Sequence, residues 1–246
     1  TSSLLESIKD PRLRLLRNSR NLGFTRSMRK AASEARGDYI AVHDAGDISL
    51  PSRLAKQVER LDADAEIVAI GSGVMYHNPL TGDKRKVDFY QVDSERVPFT
   101  HGEVMYRRMA YEAVGGYREI FYYSQDSDLW RRLGELGRLE RLDEVLYERR
   151  IFSDGVGGNP DKGVLQAIFS NLGMYSQMER LAGRCDPVEK WNATSLLLQP
   201  LTPYFKTSGT FHVKSLLKQR RFREAKQILE TAPLGMLTWK LLIVYL

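Results

Sequence analysis

YIAVHDAGD, residues 39–47, is a short apolar run that leads directly into an acidic turn. The apolar part has the length and the composition of a buried strand. In open α/β sheets, ligands bind just beyond the carboxyl ends of such strands. The stretch therefore predicts an α/β fold with a ligand site beside Asp44 and Asp47.

The segments on either side of this stretch alternate between strand and helix patterns. Further strands are predicted over residues 12–16, 67–76, 84–90 and 104–107. Helices are predicted over residues 25–36, where Gly37 provides the stop, and over residues 127–136. This order predicts an α/β sandwich.

Beyond about residue 161 the strand patterns cease and helical patterns remain, interrupted by prolines such as Pro187 and Pro233. We therefore predict an α/β domain over residues 1–155 and a helical extension over residues 156–246. The chain begins at Thr1 within what reads as a helix, so it is expected to be part of a longer protein.

The charge is concentrated in the last segment of the chain. Residues 206–246 hold eight basic and two acidic residues, which accounts for the whole net charge of +6. A nucleic-acid-binding protein would distribute its positive charge differently, so no nucleic-acid partner is expected. The single cysteine, Cys185, excludes an internal disulfide scaffold and fits a reducing, cytoplasmic location. No signal peptide is predicted.

A basic stripe within that segment predicts peripheral contact with an anionic membrane surface, on the cytoplasmic face. Its members are Lys214, Lys218, Arg220, Arg221, Arg223 and Lys226. Leu216, Leu217 and Phe222 lie beside them. Residues 234–246 are apolar but fall short of the roughly 20 residues that span a bilayer. The alternative is that these helices pack on the α/β domain with their charges facing water.

The acidic turn can bind a metal ion. Two carboxylates three residues apart, Asp44 and Asp47, suit a hard divalent cation that bridges phosphate oxygens. The alternative is a solvated loop or a helix cap. The four histidines lack metal-ligand spacing, and each is expected to be satisfied or exposed.

A second candidate site lies at the predicted start of the 127–136 helix. The helix dipole there favours an ionised Asp126, which can accept a proton from an attacking hydroxyl. The alternative is that Asp126 only caps the helix.

Taken in order over roughly residues 1–155, these segments resemble glycosyltransferase family 2, whose members have the GT-A fold. The resemblance implies a Rossmann-like mixed sheet flanked by helices, here followed by a helical C-terminal extension. The donor-side segments are NLG at 21–23, RGDYIAV at 36–42, DAGD at 44–47 and LPSRL at 50–54. The acceptor-side segments are GGYR at 115–118 and DSDLWRRL at 126–133, followed by LDEVLYERR at 142–150.

The resemblance implies an inverting transfer of a sugar from a nucleotide-sugar donor to a glycan, lipid-linked or other cell-envelope acceptor. It implies that Asp44 and Asp47 bind the donor diphosphate through Mg²⁺ or Mn²⁺ and that Asp126 is the general base. Asn21 and Gly23 fall in the donor-binding segment. On looser grounds, Arg108 and Arg118 would lie near donor or acceptor.

Several positions depart from the family pattern. Gly46 and Gln125 stand where the family usually has acidic residues, and Arg29 stands where it often has Asn. The strands that would hold the nucleobase and ribose are expected to precede Thr1. Two alternatives therefore stay open: a sugar nucleotidyltransferase of similar fold, and a non-catalytic carbohydrate- or nucleotide-binding module.

Overall fold

The computed structural model describes residues 2–87, 98–150 and 160–200, together with the single helical residues Leu217, Phe222 and Arg223. The strands are β1 (Tyr39–Ala41), β2 (Ile48–Ser49), β3 (Ile67–His77), β4 (Lys84–Lys86), β5 (Met105–Arg107) and β6 (Arg138–Arg150). The helices are α1 (Ser2–Ser7), α2 (Phe24–Ser33), α3 (Arg53–Ala63), α4 (Arg108–Ala113), α5 (Gln125–Leu133), α6 (Pro160–Leu181), α7 (Pro187–Trp191) and α8 (Ser195–Leu198).

The strands form one mixed sheet in the order β1-β5-β3-β6-β2, and β4 pairs with β3. Strands β3 and β6 are parallel, and the other pairs are antiparallel. Residues 67–74 of β3 are buried throughout, because this central strand is covered on both faces of the sheet. The predicted mixed sheet is confirmed.

Helices cover both faces of this sheet. Met105 and Tyr106 are successive residues of β5, so their side chains point to opposite faces. Tyr106 packs in a cluster with Leu129, Trp130 and Leu133 of α5. Met105 packs in a second hydrophobic cluster, which contains Leu61 of α3. The sheet therefore lies between α3 on one side and α5 on the other, as expected for an α/β protein.

The helical segment that follows the sheet packs against the turn before α5. Phe169 and Leu172 of α6 and Val188 of α7 form a buried cluster with Phe121. The predicted boundary near residue 155 lies outside the described residues, so the division into two domains stays a prediction. Among the described helices, none is both long and apolar enough to cross a bilayer.

Two elements differ from the sequence-based expectations. The strand predicted over residues 12–16 is wrong: residues 13–18 have no regular structure, and Leu13, Leu15 and Leu16 are each more than one-third exposed. The 13-residue strand β6 was not predicted. Strand β4 ends at Lys86, residue 87 has no regular structure, and residues 88–90 of the predicted 84–90 strand lie outside the described residues.

Candidate active site

The acidic turn closes on itself just beyond β1. The backbone N–H of Asp47 donates to the carbonyl of Asp44 across 3.3 Å. Gly46, the third residue of the turn, has a φ of +91°. Only glycine adopts that conformation readily, and it is the one that a type II turn requires at this position. The turn therefore favours glycine at position 46, where the family pattern usually has an acidic residue.

Strand β6 fixes this turn through Tyr147. Its hydroxyl donates to Asp47 Oδ2 across 2.9 Å and accepts the backbone N–H of Asp44 across 3.0 Å. The backbone N–H of Arg150 donates to Asp47 Oδ1 across 2.9 Å. Both Asp47 oxygens therefore accept hydrogen bonds from β6, and Asp47 holds the turn in place.

Asp44 points to a different group. Its Oδ1 lies 2.7 Å from His101 Nδ1, and His101 Nε2 lies 3.1 Å from the hydroxyl of Tyr117. Oδ2 accepts no hydrogen bond from the described residues, and the Asp44 side chain is 32% exposed. Asp44 is thus the carboxylate of the turn with an oxygen available to a ligand.

The surroundings of Asp44 favour its ionised form. Burial raises the pKa of Asp44, but the hydrogen bond from His101 and nearby positive charges, including Arg149, lower it below its ordinary value. Burial lowers the pKa of His101, but the bond to Asp44 raises it above its ordinary value overall. The two side chains stabilise each other's charged forms.

Asp126 lies in the first turn of α5, as predicted. Ser124 precedes the helix with a φ of +53°, and its side chain does not cap it. Asp126 Oδ1 accepts the backbone N–H of Ser127 across 2.8 Å. The negative charge of Asp126 adds a smaller upward effect on the pKa of His101, after burial and Asp44, and on the pKa of Tyr117, which burial raises most.

The segment with Asn21 and Gly23 borders the same pair. Asn21 Oδ1 accepts the backbone N–H of Gly23 across 2.8 Å, which makes a tight turn before α2. The ring of Phe24, the first residue of α2, lies 5.3 Å from His101 edge-to-face. The structure therefore places this segment beside the site, whereas direct contact of Asn21 or Gly23 with a donor stays a prediction.

Two arginines expected on looser grounds near a ligand have structural partners. Arg118 is mostly buried and forms ion pairs with Asp128 of α5 and with Asp186 before α7. Arg108 donates to the carbonyl of Gly37 across 2.8 Å and pairs with Glu112. Arg29, which replaces the family's Asn, donates to the carbonyls of Gly115 and Tyr117. These three arginines bind protein groups in the structure.

Sequence reasoning missed His101, Tyr117 and Tyr147 as site residues. The expectation that each histidine is satisfied or exposed holds for His101, since it is 8% exposed and hydrogen-bonded. Its partner, however, is the candidate metal ligand 57 residues away, and no spacing rule reveals that contact. Tyr117 and Tyr147 lie inside motifs that carry the resemblance, which was a signal that could have identified them.

The donor set suits a single hard cation at Asp44. Carboxylate oxygens and water are the ligands that Mg²⁺ and Mn²⁺ prefer, and Asp44 Oδ2 is available. The Asp47 oxygens each already accept one hydrogen bond. Within the described chain, no group of three or more His, Cys, Asp or Glu side chains could enclose a metal ion. A cation here would therefore be completed by water or by a bound ligand.

Comparison with known proteins found a matching family model and several relatives. The family model described as glycosyl transferase family 2 matches residues 1–130. The putative glycosyltransferase EpsE of Bacillus subtilis is 35% identical over 150 residues, which cover 58% of this chain and 54% of EpsE. The amylovoran biosynthesis glycosyltransferase AmsE of Erwinia amylovora is 28% identical over 144 residues, which cover 56% of this chain and 54% of AmsE. The chain thus spans about half the length of these relatives.

A solved structure shares the fold. The mannosyltransferase PcManGT of Pyrobaculum calidifontis, determined in complex with GDP-Man and Mn²⁺, aligns with a TM-score of 0.52. The alignment covers 88% of this chain and 63% of PcManGT at 18% sequence identity. That likeness confirms the predicted GT-A-like fold.

Proposed function

Because the chain belongs to glycosyltransferase family 2, we propose that it transfers a sugar from a nucleotide-sugar donor to a carbohydrate acceptor with inversion at the anomeric carbon. One observation carries the proposal. The acidic turn and the acceptor-side segments come from separate parts of the chain, yet Asp44 bonds to His101, and His101 bonds to Tyr117 of the acceptor-side segment at 115–118. A donor held at Asp44 would therefore lie beside the acceptor-side segments, the second of which begins at Asp126.

In the proposed reaction, Asp126 accepts the proton of an acceptor hydroxyl. The hydroxyl oxygen forms a bond to the anomeric carbon as the bond from that carbon to the donor phosphate breaks. The nucleoside diphosphate leaves with the electron pair. The position of Asp126 in the first turn of the nine-residue helix α5 supports this role, because the helix dipole stabilises the carboxylate.

Asp44 would hold Mg²⁺ or Mn²⁺, with Asp47 fixing the turn through Tyr147. When bound, the cation neutralises charge on the departing diphosphate. The accessible Oδ2 of Asp44 supports this assignment. The structure of the mannosyltransferase with GDP-Man and Mn²⁺ supports a divalent metal in a protein of the same fold.

The acceptor is proposed to be a growing polysaccharide or a lipid-linked glycan of the cell envelope. AmsE is named for the biosynthesis of amylovoran, and ExoO of Rhizobium meliloti, 39% identical over 70 residues, for the biosynthesis of succinoglycan. These names support a polysaccharide acceptor.

A cytoplasmic enzyme held at the inner face of the membrane would suit such an acceptor. Most of the basic stripe, including Lys214, Lys218 and Lys226, lies outside the described residues. Phe222 and Arg223 are described, and both are exposed helical residues. Their exposure supports a surface role for this segment.

The decisive assay identifies the product released from the donor. The full-length protein is incubated with Mn²⁺, a mixture of bacterial cell-envelope glycans and each of a panel of nucleotide sugars. Release of a nucleoside diphosphate with sugar transfer supports the proposal. In a parallel incubation with nucleoside triphosphates and sugar phosphates, release of pyrophosphate would identify a nucleotidyltransferase. Binding without either product would identify a binding module.

A further inference from the structure

Two arginines stack on one tyrosine at the end of the sheet that carries the acidic turn. The guanidinium carbon of Arg85 lies 5.1 Å from the ring centre of Tyr76, and that of Arg149 lies 5.8 Å from it. Tyr76 of β3 pairs with Arg85 of β4 on one side and with Arg149 of β6 on the other. The ring therefore holds both cations in fixed positions on one face of the sheet.

Arg149 is the one of the two that adjoins the acidic turn. It lies two residues after Tyr147 in β6, so the two side chains share a face of the sheet. Tyr147 is the residue that bonds to both Asp44 and Asp47. The charge of Arg149 also favours ionisation of Asp44 and of the buried Glu103, although burial is the largest influence on the pKa of each carboxyl.

The guanidinium group of Arg149 is within ion-pair distance of no carboxylate among the described residues. Within the described chain it forms no salt bridge or hydrogen bond, whereas its neighbour Glu148 pairs with Lys84 and His77. The Nε of Arg150 is buried and likewise lacks a hydrogen-bond partner among the described residues. Arg149 is held by the ring of Tyr76, and its N–H groups lack partners among the described residues. Beside the ionised Asp44, it is suited to bind an anion that a metal ion also contacts.

We propose that Arg149 binds the diphosphate of the sugar nucleotide and stabilises the charge that develops on it as the glycosidic bond breaks. This inference rests on the proposed function, since it assigns a further residue to the same donor site. A guanidinium group held by Tyr76 supplies positive charge directly, and it offers five donors to phosphate oxygens.

The chain provides a matched control for this assignment. Arg85 stacks on the same ring as Arg149 but belongs to the exposed strand β4, on the opposite side of β3 from β6. The substitutions Arg149→Gln and Arg85→Gln remove the same charge and the same stacking contact. Only the first should affect a ligand at Asp44. A third variant, Arg149→Lys, keeps the charge but loses the planar fork.

The test measures the affinity of the full-length protein for ADP, CDP, GDP, UDP and dTDP by calorimetry, with Mn²⁺ and with EDTA. For whichever nucleotide the wild type binds, Arg149→Gln should weaken binding about tenfold or more under both conditions. Arg149→Lys should fall between wild type and Arg149→Gln, and Arg85→Gln should stay within about twofold of wild type. Thermal melting of each variant checks that the fold is retained.

Equal affinity in wild type and Arg149→Gln, or equal losses in Arg149→Gln and Arg85→Gln, would overturn the assignment. The assignment would also be overturned if the Arg149→Gln protein lost binding of an isoprenyl diphosphate in detergent micelles but kept binding of the nucleoside diphosphate. A wild type that binds a nucleoside diphosphate without transferring sugar would contradict the proposed function and leave the Arg149 result valid. A wild type that binds none of these diphosphates would overturn both.

Discussion

The hydroxyl of Tyr147 donates a hydrogen bond of 2.9 Å to Asp47, although the two residues are 100 positions apart in the chain. The same hydroxyl accepts the backbone N–H of Asp44. One phenol oxygen therefore sets the position of both acids of the turn relative to β6. Gly102 leaves room for the Tyr147 hydroxyl, because a Cβ at position 102 would lie 2.1 Å from the hydroxyl oxygen.

Replacing Tyr147 with Phe should loosen the acidic turn. The backbone N–H of Asp44 and the Oδ2 of Asp47 would both lose their partner, which costs about 1–3 kcal/mol in the free energy of unfolding. Turnover should fall about tenfold to a hundredfold because the donor site is displaced. Urea denaturation and steady-state kinetics measure the two effects. Tyr76→Phe is the matched control, since the Tyr76 hydroxyl has no hydrogen bond within the described chain. Similar losses in both variants would contradict this account.

Single substitutions of Asp44 and Asp47 should have different effects on donor binding and on stability. Asp44→Asn should remove the effect of Mn²⁺ on donor affinity, because its Oδ2 is the available ligand. Asp47→Asn should weaken binding mainly by freeing the turn, and it should lower the melting temperature more than Asp44→Asn does. In the double variant Asp44→Ala with Asp47→Ala, metal-dependent binding should be abolished. Calorimetric titration of the donor with and without Mn²⁺ measures these affinities. If the donor affinity of the wild type is the same with and without Mn²⁺, the turn holds no metal.

Arg118 should matter for stability and not for ligand binding. Its removal in Arg118→Met leaves the buried Asp128 and Asp186 with fewer partners, which should cost about 3–5 kcal/mol in unfolding free energy at pH 7. Arg108→Met, which removes an exposed ion pair, should cost less than about 1 kcal/mol. Urea denaturation of both variants measures the difference. Comparable costs would contradict the structural role of Arg118.

The contribution of Arg118 should also depend on pH. Burial raises the pKa of Asp128, but Arg132 and Arg118 lower it below the ordinary value of 3.8; the pKa of Asp186 is lowered as well. A carboxyl with a lowered pKa stabilises the fold fully above its unfolded value and loses that contribution as the pH falls through its folded value. The difference between wild type and Arg118→Met should therefore persist from pH 8 to about pH 5 and shrink below pH 3.8. A difference that grows on acidification would contradict this.

Strands of strong apolar character were predictable, and β6 was not. The central strand β3 reads as a continuous apolar run and was predicted almost to its ends. Strand β6 alternates charged residues with Leu139, Leu142 and Leu146, a spacing that also fits a helix. Its parallel pairing with β3 decides its conformation, and that pairing is not written in local sequence. Residues 12–16 have the local pattern of a strand but do not form one, because no described strand pairs with them.

The site was predictable as two separate motifs. The sequence identified Asp44 and Asp47 after a strand and Asp126 at a helix start, since both positions follow from local patterns. His101, which bonds to Asp44 and to Tyr117 of the acceptor-side segment, lies 57 residues from Asp44 and carries no local signal of its own. Long-range side-chain contacts of this kind require the folded arrangement.

The basic stripe of the C-terminal segment should draw the protein to anionic membranes. Each lysine or arginine near such a surface contributes about 1 kcal/mol. Full-length protein should float with vesicles that contain phosphatidylglycerol, and it should not float with neutral vesicles or in 1 M salt. Changing Arg220, Arg221 and Arg223 to Glu should reduce the floating fraction strongly. Equal flotation with both vesicle types, or flotation that is unchanged in 1 M salt, would contradict an electrostatic contact.

The central claim is that Asp126 is the general base of a sugar transfer whose donor lies at Asp44. Its most direct test compares wild type with Asp126→Asn in one experiment that measures both donor affinity and the rate of transfer. The account predicts unchanged affinity, an unchanged melting temperature, and a turnover about 10²–10⁴-fold lower, the usual contribution of a positioned base. Ser127→Ala, a neighbouring change in the same helical turn, should keep turnover within about threefold of wild type. Full turnover in Asp126→Asn would contradict the claim and leave Asp126 as a residue that only stabilises the start of α5.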